Sequence, residues 1–156
     1  MELKKDTIEF IKKEISRYET KRSAILPCLY RMQEDCGGWV PPEAVEALAK
    51  TMDIPDSMIN EVLTFYTMYN KEKVGKFHVQ VCTNISCSMN GGRELADHLC
   101  KVFGVEYDEI SKDGRFTVSR VECLGSCDTA PMMQVNDNYY ENLTHEKAEA
   151  LLRKME

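Results

Sequence analysis

The sequence lacks the long apolar segment that a membrane-spanning helix needs. No apolar run approaches the roughly eighteen residues that mark such a helix. The first six residues, MELKKD, also lack the apolar core of a signal peptide. We therefore expect a cytoplasmic protein without direct membrane insertion, which would be peripheral to a membrane only through a complex.

The sequence is also short of positive charge, with 20 Lys and Arg against 26 Asp and Glu and a formal net charge of −6. This balance argues against a nucleic-acid partner, because phosphate backbones attract basic surfaces. We find no internal repeat and no low-complexity segment. With 156 residues, 43% of them hydrophobic, the chain can form one compact domain, with or without an extension.

The tight C-x2-C pair that zinc sites most often use is absent, although the chain has seven cysteines. An odd number of cysteines without a secretory signal favours metal binding in a reducing compartment over a set of disulfides. Four of the cysteines form two wider pairs, Cys82 with Cys87 (C-x4-C) and Cys123 with Cys127 (C-x3-C). These four are the candidate ligands.

Each cysteine pair follows a stretch in which apolar and polar residues alternate, Phe77–Val81 before the first pair and Phe116–Val121 before the second. Such alternation indicates half-buried strands. Each pair should then lie on a loop that leaves the end of a strand. If the two strands are neighbours in one sheet, the four thiols converge, which is how a protein builds a metal site.

Four thiolates suit either zinc or an iron–sulfur cluster, because both favour tetrahedral sulfur ligation. A [2Fe–2S] cluster is larger than a single ion and takes two cysteines on each iron, so wider loops wrap it more easily. The spacing therefore favours iron–sulfur, while zinc and an unligated or disulfide-bonded set stay open. Small and polar residues in both loops would let backbone N–H groups approach the sulfurs. They are Thr83, Asn84, Ser86, Ser88, Gly125 and Ser126.

The remaining cysteines and histidines are weaker candidates. Cys28 and Cys100 lie on predicted helices, and free cysteine often serves as a small buried residue. Cys36 lies beside two glycines and has no partner at ligand spacing. His78 precedes the first pair and could tune a metal site, but we expect an ordinary core or surface histidine.

Residues 1–72 show helical periodicity in four segments, which predicts an antiparallel helical bundle with short loops. Asp6 is the predicted N-cap of the first helix. The second helix should begin at Ser23 and end at Gly37–Gly38, and Pro41-Pro42-Glu43 should open the third. The fourth helix carries the apolar residues Met58, Ile59, Val62 and Leu63.

Residues 73–156 have a different pattern, in which strands alternate with helices. The first strand and cysteine loop lead into a predicted helix over Gly92–Phe103, and the second strand and loop follow it. Pro131–Val135 and Tyr139–Tyr140 should pair as a hairpin, and Thr144 should cap a last helix. This β-α-β-β-β-α order is that of a thioredoxin-like fold, so the fold class is α+β. A right-handed crossover makes the first two strands parallel, which places both cysteine loops at one end of the sheet.

The two cysteine segments also carry a resemblance to a known family. They read VCTNISC over Val81–Cys87 and ECLGSCDTAP over Glu122–Pro131, and Val135–Thr144 extends the match. The chain resembles the thioredoxin-like [2Fe–2S] ferredoxin subunit of NADH:quinone oxidoreductase (complex I). The same module occurs in NAD(P)-linked hydrogenases and formate dehydrogenases. Weaker matches lie in the helical part, at Gln33–Glu34, Gly38–Trp39 and Thr64–Tyr66.

The resemblance implies one [2Fe–2S] cluster on Cys82, Cys87, Cys123 and Cys127. This cluster would exchange single electrons with FMN on a partner subunit that also binds NAD(H). The implied partners are that flavin subunit and further iron–sulfur subunits. The chain would be one subunit of an NAD(P)H-dependent oxidoreductase with no complete active site, and indeed no G-x-G-x-x-G follows a strand. Residues 1–72 would serve docking, and residues 73–156 would hold the cluster.

Two other functions remain as alternatives. The cysteines could hold zinc in an interaction module without a redox role. A thiol–disulfide oxidoreductase is less favoured, because its motif is C-x-x-C at a helix start and the first pair here is C-x4-C.

Overall fold

The computed structural model describes residues 1–155, which fall into two compact units with their boundary between Lys73 and Val74. Each unit has its own hydrophobic core. Within the described residues, every helix is too short or too polar to cross a bilayer. The fold combines helices with one four-stranded sheet, so the predicted α+β class is confirmed.

The first unit contains four α-helices that share one core. They are α1 (Lys5–Arg17), α2 (Ile25–Asp35), α3 (Pro42–Met52) and α4 (Asp56–Phe65). Apolar side chains at helical spacing point inward from every helix. The largest of these that are fully buried are Ile11, Ile25, Leu29, Met32, Leu48, Met52 and Ile59.

The starts of the first two helices differ from the prediction. α1 begins at Lys5, so Asp6 lies inside the first turn rather than at the N-cap. Its carboxylate is instead engaged by Arg31 on α2, at 2.5 Å. Ser23 lies in a 3-10 turn, Lys21–Ala24, whose N-cap Thr20 accepts a hydrogen bond from the Ser23 N–H. The α-helix proper starts only at Ile25.

The second unit contains the sheet and the remaining helices. Its elements are β1 (Phe77–Cys82), α5 (Ile85–Met89), α6 (Gly92–Phe103), β2 (Phe116–Val121), β3 (Met133–Val135), β4 (Asn138–Tyr140) and α7 (His145–Arg153). The strand order is β2-β1-β3-β4. β1 and β2 are parallel, as predicted, whereas β3 is antiparallel to both of its neighbours.

One face of the sheet packs against α6 and α7. Val79 and Val118 from the two parallel strands, Leu99 from α6 and Leu152 from α7 are all fully buried there. α6 has the bounds that the sequence predicts, and Gly104 ends it with a φ of 61°. Thr144 caps α7 as predicted, by accepting a hydrogen bond from an N–H in its first turn.

Apart from one-residue differences at the end of β1 and the start of β4, two features of the second unit depart from the prediction. β3 begins at Met133 rather than at Pro131, because proline has no N–H to donate to a ladder. The first cysteine segment is not a simple loop, since it contains the five-residue helix α5.

Candidate metal centre

The parallel pairing of β1 and β2 brings the two cysteine segments together. The register runs from Phe77 opposite Phe116 to Cys82 opposite Val121, so both strands end at the same edge of the sheet. Cys82 is the last residue of β1, and Cys123 follows the end of β2 by two residues. The sequence therefore needs only short connections to bring all four thiols to one edge.

The first pair is held by regular structure rather than by a loop. Cys82 belongs to β1, and Cys87 lies in α5 with 2% of its surface exposed. The side chain of Asn84 caps α5 by accepting a hydrogen bond from the Ile85 N–H at 2.8 Å. α6 follows at Gly92, where a β-carbon would lie 2.7 Å from the Cys82 carbonyl oxygen and 2.9 Å from that of Cys87. Glycine is therefore required for this close approach.

The second pair lies on a tighter, more exposed segment. The sulfurs of Cys123 and Cys127 are 3.5 Å apart, and both residues are exposed. Between them, Gly125 adopts a φ of 85° and donates its N–H to the Cys123 sulfur at 3.4 Å. A left-handed glycine turns the chain so that this amide faces the sulfur.

Hydrogen bonds fix the two segments to each other. The Thr83 N–H donates to the Val121 carbonyl at 3.0 Å, and the Ser86 hydroxyl donates to the Cys127 carbonyl at 2.7 Å. The Asn84 side chain donates to the carboxylate of Glu122. These contacts join residues about forty positions apart in the chain, so the two cysteine pairs are positioned together.

The four cysteines line one open cleft of about 510 Å³. The full set of lining residues is Cys82, Asn84, Ile85, Ser86, Cys87, Met89, Asn90, Cys123 and Cys127. In the part of the chain that the structure describes, this lining contains no acidic or basic side chain.

In each pair, one thiol has a raised pKa, that of Cys87 in the first pair and that of Cys127 in the second. Burial raises the pKa of Cys87 to about 11, with a further contribution from its hydrogen bond with Cys82. The pKa of Cys127 is raised mainly by its hydrogen bond with Cys123 and by repulsion between the two thiolates. Several thiolates this close together need a cation to neutralise them, and soft metal centres bind thiolate strongly.

The donor set of the cleft fits a two-iron cluster. Among residues 1–155, no three His, Cys, Asp or Glu side chains are arranged as the ligands of one ion. The cysteines instead form two pairs within one cleft, one pair from each strand end. A [2Fe–2S] cluster has this requirement, since each of its two irons takes two cysteines.

The other candidate residues lie outside the cleft. Cys28 is fully buried in the core of the first unit, where burial and then Glu14 raise its pKa to about 12. Cys36 belongs to the edge of that core, and Cys100 packs against the core of the second unit. His78 is at the opposite end of β1 from Cys82, and its ring contacts the Ser119 hydroxyl at 2.8 Å. It is a core histidine rather than part of the site.

Two residues that support the second pair could not be assigned a role from the sequence. The Tyr139 hydroxyl donates to the Leu124 carbonyl at 2.8 Å. The Glu141 carboxylate accepts hydrogen bonds from the hydroxyls of Ser126 and Thr129, which lower its pKa. Both residues lie in the segment that carries the family resemblance, but neither spacing nor residue type indicates these contacts.

A mixed four-stranded sheet with two cysteine pairs at the carboxyl ends of parallel strands defines a small ferredoxin on a thioredoxin-like scaffold. The family model described as thioredoxin-like [2Fe-2S] ferredoxin matches residues 11–156, and the chain belongs to this family. The predicted family and its [2Fe–2S] electron-transfer function are thereby confirmed.

Several relatives share much of the sequence. One subunit of the NADH-quinone oxidoreductase of Rickettsia felis is 46% identical over 132 residues, which cover 85% of this chain and 79% of the relative. One subunit of the NADH-quinone oxidoreductase of Thermus thermophilus is 41% identical over 150 residues, with coverages of 94% and 82%. These relatives are parts of oxidoreductases, in agreement with the prediction of an oxidoreductase subunit.

A solved structure shares the fold at lower identity. The crystal structure of an air-oxidised NAD+-reducing [NiFe]-hydrogenase superposes with a TM-score of 0.70 at 21% sequence identity. The match covers 83% of this chain but only 22% of the hydrogenase chain. This chain therefore corresponds to about a fifth of the length of that hydrogenase chain, and the likeness concerns the fold alone.

Proposed function

We propose that Cys82, Cys87, Cys123 and Cys127 hold one [2Fe–2S] cluster and that the chain works as the electron-transfer subunit of an NAD(P)H-dependent oxidoreductase. The observation that carries this proposal is the arrangement of two cysteine pairs in a single uncharged cleft at the sheet edge. When bound, such a cluster accepts and returns one electron at a time.

The residues around the cleft prepare it for this role. The Gly125 N–H already faces the Cys123 sulfur and would offset negative charge there, which raises a reduction potential. The bonds of Asn84 and Ser86 across the cleft hold the two pairs at a fixed separation. Burial of Cys82 and Cys87 keeps water from one side of the site, while exposed Cys123 and Cys127 leave the other side open to a partner.

The partner in this proposal is a subunit that binds FMN and NAD(H) and oxidises NADH, with further iron–sulfur subunits beyond it. The curated relatives support this assignment, because they are subunits of NADH-quinone oxidoreductases. Hydride chemistry belongs to a flavin or nicotinamide, and this chain contributes the one-electron site beside it. No residue of this chain is assigned a catalytic role.

The helical unit, residues 1–72, is proposed to dock the partner. Its surface carries an aromatic and sulfur-containing patch at the end of α4, formed by Phe65, Tyr66 and Met68. Phe65 is 75% exposed, which is unusual for a side chain of this size. Aromatic residues and methionine are enriched at protein interfaces.

The proposal is tested by metal analysis of protein purified without oxygen. We expect about two irons and two acid-labile sulfides per chain, a visible spectrum of an iron–sulfur protein, and an EPR signal that appears only after reduction with dithionite. About one zinc per chain with no sulfide and no colour would instead identify a zinc-stabilised interaction module.

A further inference from the structure

Two large apolar side chains are exposed to solvent at the mouth of the cysteine cleft. Ile85 is 76% exposed and Met89 is 83% exposed, and both line the cleft. They are four residues apart on α5, so they lie on the same face of that helix. Together they form an apolar rim, by which we mean these two side chains.

The apolar rim is not needed to hold α5 in place. The helix is anchored by buried Cys87, by the Asn84 cap, and by the Ser88 hydroxyl, which donates to the Thr83 carbonyl at 2.6 Å. Three clusters of buried apolar residues form the cores of residues 1–155, and Ile85 and Met89 lie outside all of them. The two side chains therefore do not contribute to a hydrophobic core, and their exposure needs another explanation.

The chemistry of the cleft indicates what covers the rim. The chain has a net charge of −6, yet the cleft is lined only by apolar, thiol, hydroxyl and amide groups. A small, charged electron donor would find no opposite charge in this lining. An uncharged apolar protein surface would instead bind favourably by burying both side chains. The rim also adjoins the exposed sulfurs of Cys123 and Cys127, which a redox partner has to approach.

We propose that Ile85 and Met89 form the contact that covers the cleft when the flavin-bearing subunit binds, against an apolar and uncharged patch of that subunit and in addition to the contact of the helical unit. This inference rests on the proposed function and adds to it the residues that make the contact. Few side chains carry most of the binding energy in a typical interface, and centrally placed large ones carry the most. The rim, next to the cluster ligands, has that central position.

The test replaces the rim residues by polar ones in the full chain. Ile85→Gln and Met89→Gln, singly and together, remove the apolar contact while keeping side chains of similar length. Ile110→Gln is the matched control, since Ile110 is 37% exposed in the same unit and does not line the cleft. Iron and sulfide content and the visible spectrum are measured first. Affinity for the purified flavin-bearing, NADH-oxidising subunit of the same organism is then measured by calorimetry.

We expect the double variant to keep its cluster and to bind the flavin subunit about tenfold or more weakly, while Ile110→Gln binds like wild type. Unchanged affinity of the double variant would overturn the contact and leave the proposed function standing. Loss of the cluster in the rim variants would also overturn it, because the rim would then be structural. A wild-type chain without a cluster, or with one but no affinity for the flavin subunit, would overturn the proposed function itself, and the inference with it.

Discussion

At the scale of single residues, the four cysteines of the cleft are the proposed cluster ligands and the cysteines outside it are not. Serine in place of Cys87 or Cys127 should abolish or strongly reduce [2Fe–2S] content, because an alkoxide is a poor ligand for a soft metal centre. Cys100 is the control, since it packs against the core of the second unit rather than lining the cleft. Iron and sulfide analysis with visible spectra would show the difference. Bleaching by Cys100→Ser but not by Cys127→Ser would mean that the ligand assignment is wrong.

Gly92 shapes the site because it has no side chain. In Gly92→Ala, the added methyl group would meet the carbonyl oxygens of Cys82 and Cys87 at 2.7 and 2.9 Å, so α5 has to shift. We expect a loss of about 1–3 kcal/mol in the free energy of unfolding, typical of overpacking, together with reduced cluster content.

Gly91 provides a matched control for this substitution. It has a φ of 86° and open space around its α-carbon, so Gly91→Ala strains the backbone without displacing either cysteine. We expect it to cost about 1 kcal/mol and to leave cluster content unchanged. Iron content per folded chain separates the two variants, and equal content in both would contradict the steric account of Gly92.

At the scale of elements, Asp35 joins the start of α1 to the end of α2. Its carboxylate accepts hydrogen bonds from Thr7 at 2.5 Å, Lys4 at 3.0 Å and Arg31 at 3.1 Å. Burial alone would raise the pKa of Asp35, but these three donors outweigh it and hold the pKa below its usual value. A carboxyl with a lowered pKa stabilises the fold above its unfolded pKa, and this contribution is lost as the pH falls through the folded value.

We therefore expect Asp35→Asn to lower the free energy of unfolding of the first unit by about 1–2 kcal/mol at pH 7. The variant and wild type should converge as the pH falls below about 4, the unfolded value for aspartate. Urea unfolding followed by Trp39, the one tryptophan in the chain, reports this difference. Asp53→Asn is the control, because the Asp53 side chain is 94% exposed and its ion pair with Lys21 should contribute little. A difference between Asp35→Asn and wild type that persists unchanged to low pH would contradict this account.

The elements that the sequence predicts well are those with a strong local signal. β2 and α6 have their predicted bounds because alternation, helical periodicity and a terminal glycine agree with the tertiary fold. α5 could not be predicted, since its five residues are too few for a periodicity and its stability depends on tertiary contacts. Its apolar residues also point outward, against the usual pattern.

In the candidate site, too, some residues could be predicted from the sequence and others could not. Spacing and the strands before each pair were enough to nominate four cysteines, because parallel neighbours end at one edge of a sheet. The roles of Tyr139 and Glu141 could not be predicted, because they contact the segment around the second pair, at Leu124 and Ser126, from about fifteen residues downstream. Such contacts are decided by how β4 packs, and residue type alone does not reveal them.

At the scale of the whole molecule, the separate cores predict that cluster assembly does not depend on the helical unit. All buried residues of the first core precede Lys73, and those of the other two cores follow Val74. The four cysteines and every hydrogen bond described around the cleft belong to the second unit. Removal of residues 1–73 should therefore leave a chain that still assembles its cluster.

The same truncation should weaken binding to the flavin-bearing subunit, because it removes the exposed aromatic patch that includes Phe65. We expect full iron and sulfide content with reduced affinity, measured by calorimetry against the purified flavin subunit. Phe65→Ser in the full chain is the matched single change, since the side chain is 75% exposed and contributes little to the core. A truncated chain with full affinity would show that the helical unit does not dock the partner. A truncated chain that folds without a cluster would show that cluster assembly needs the helical unit.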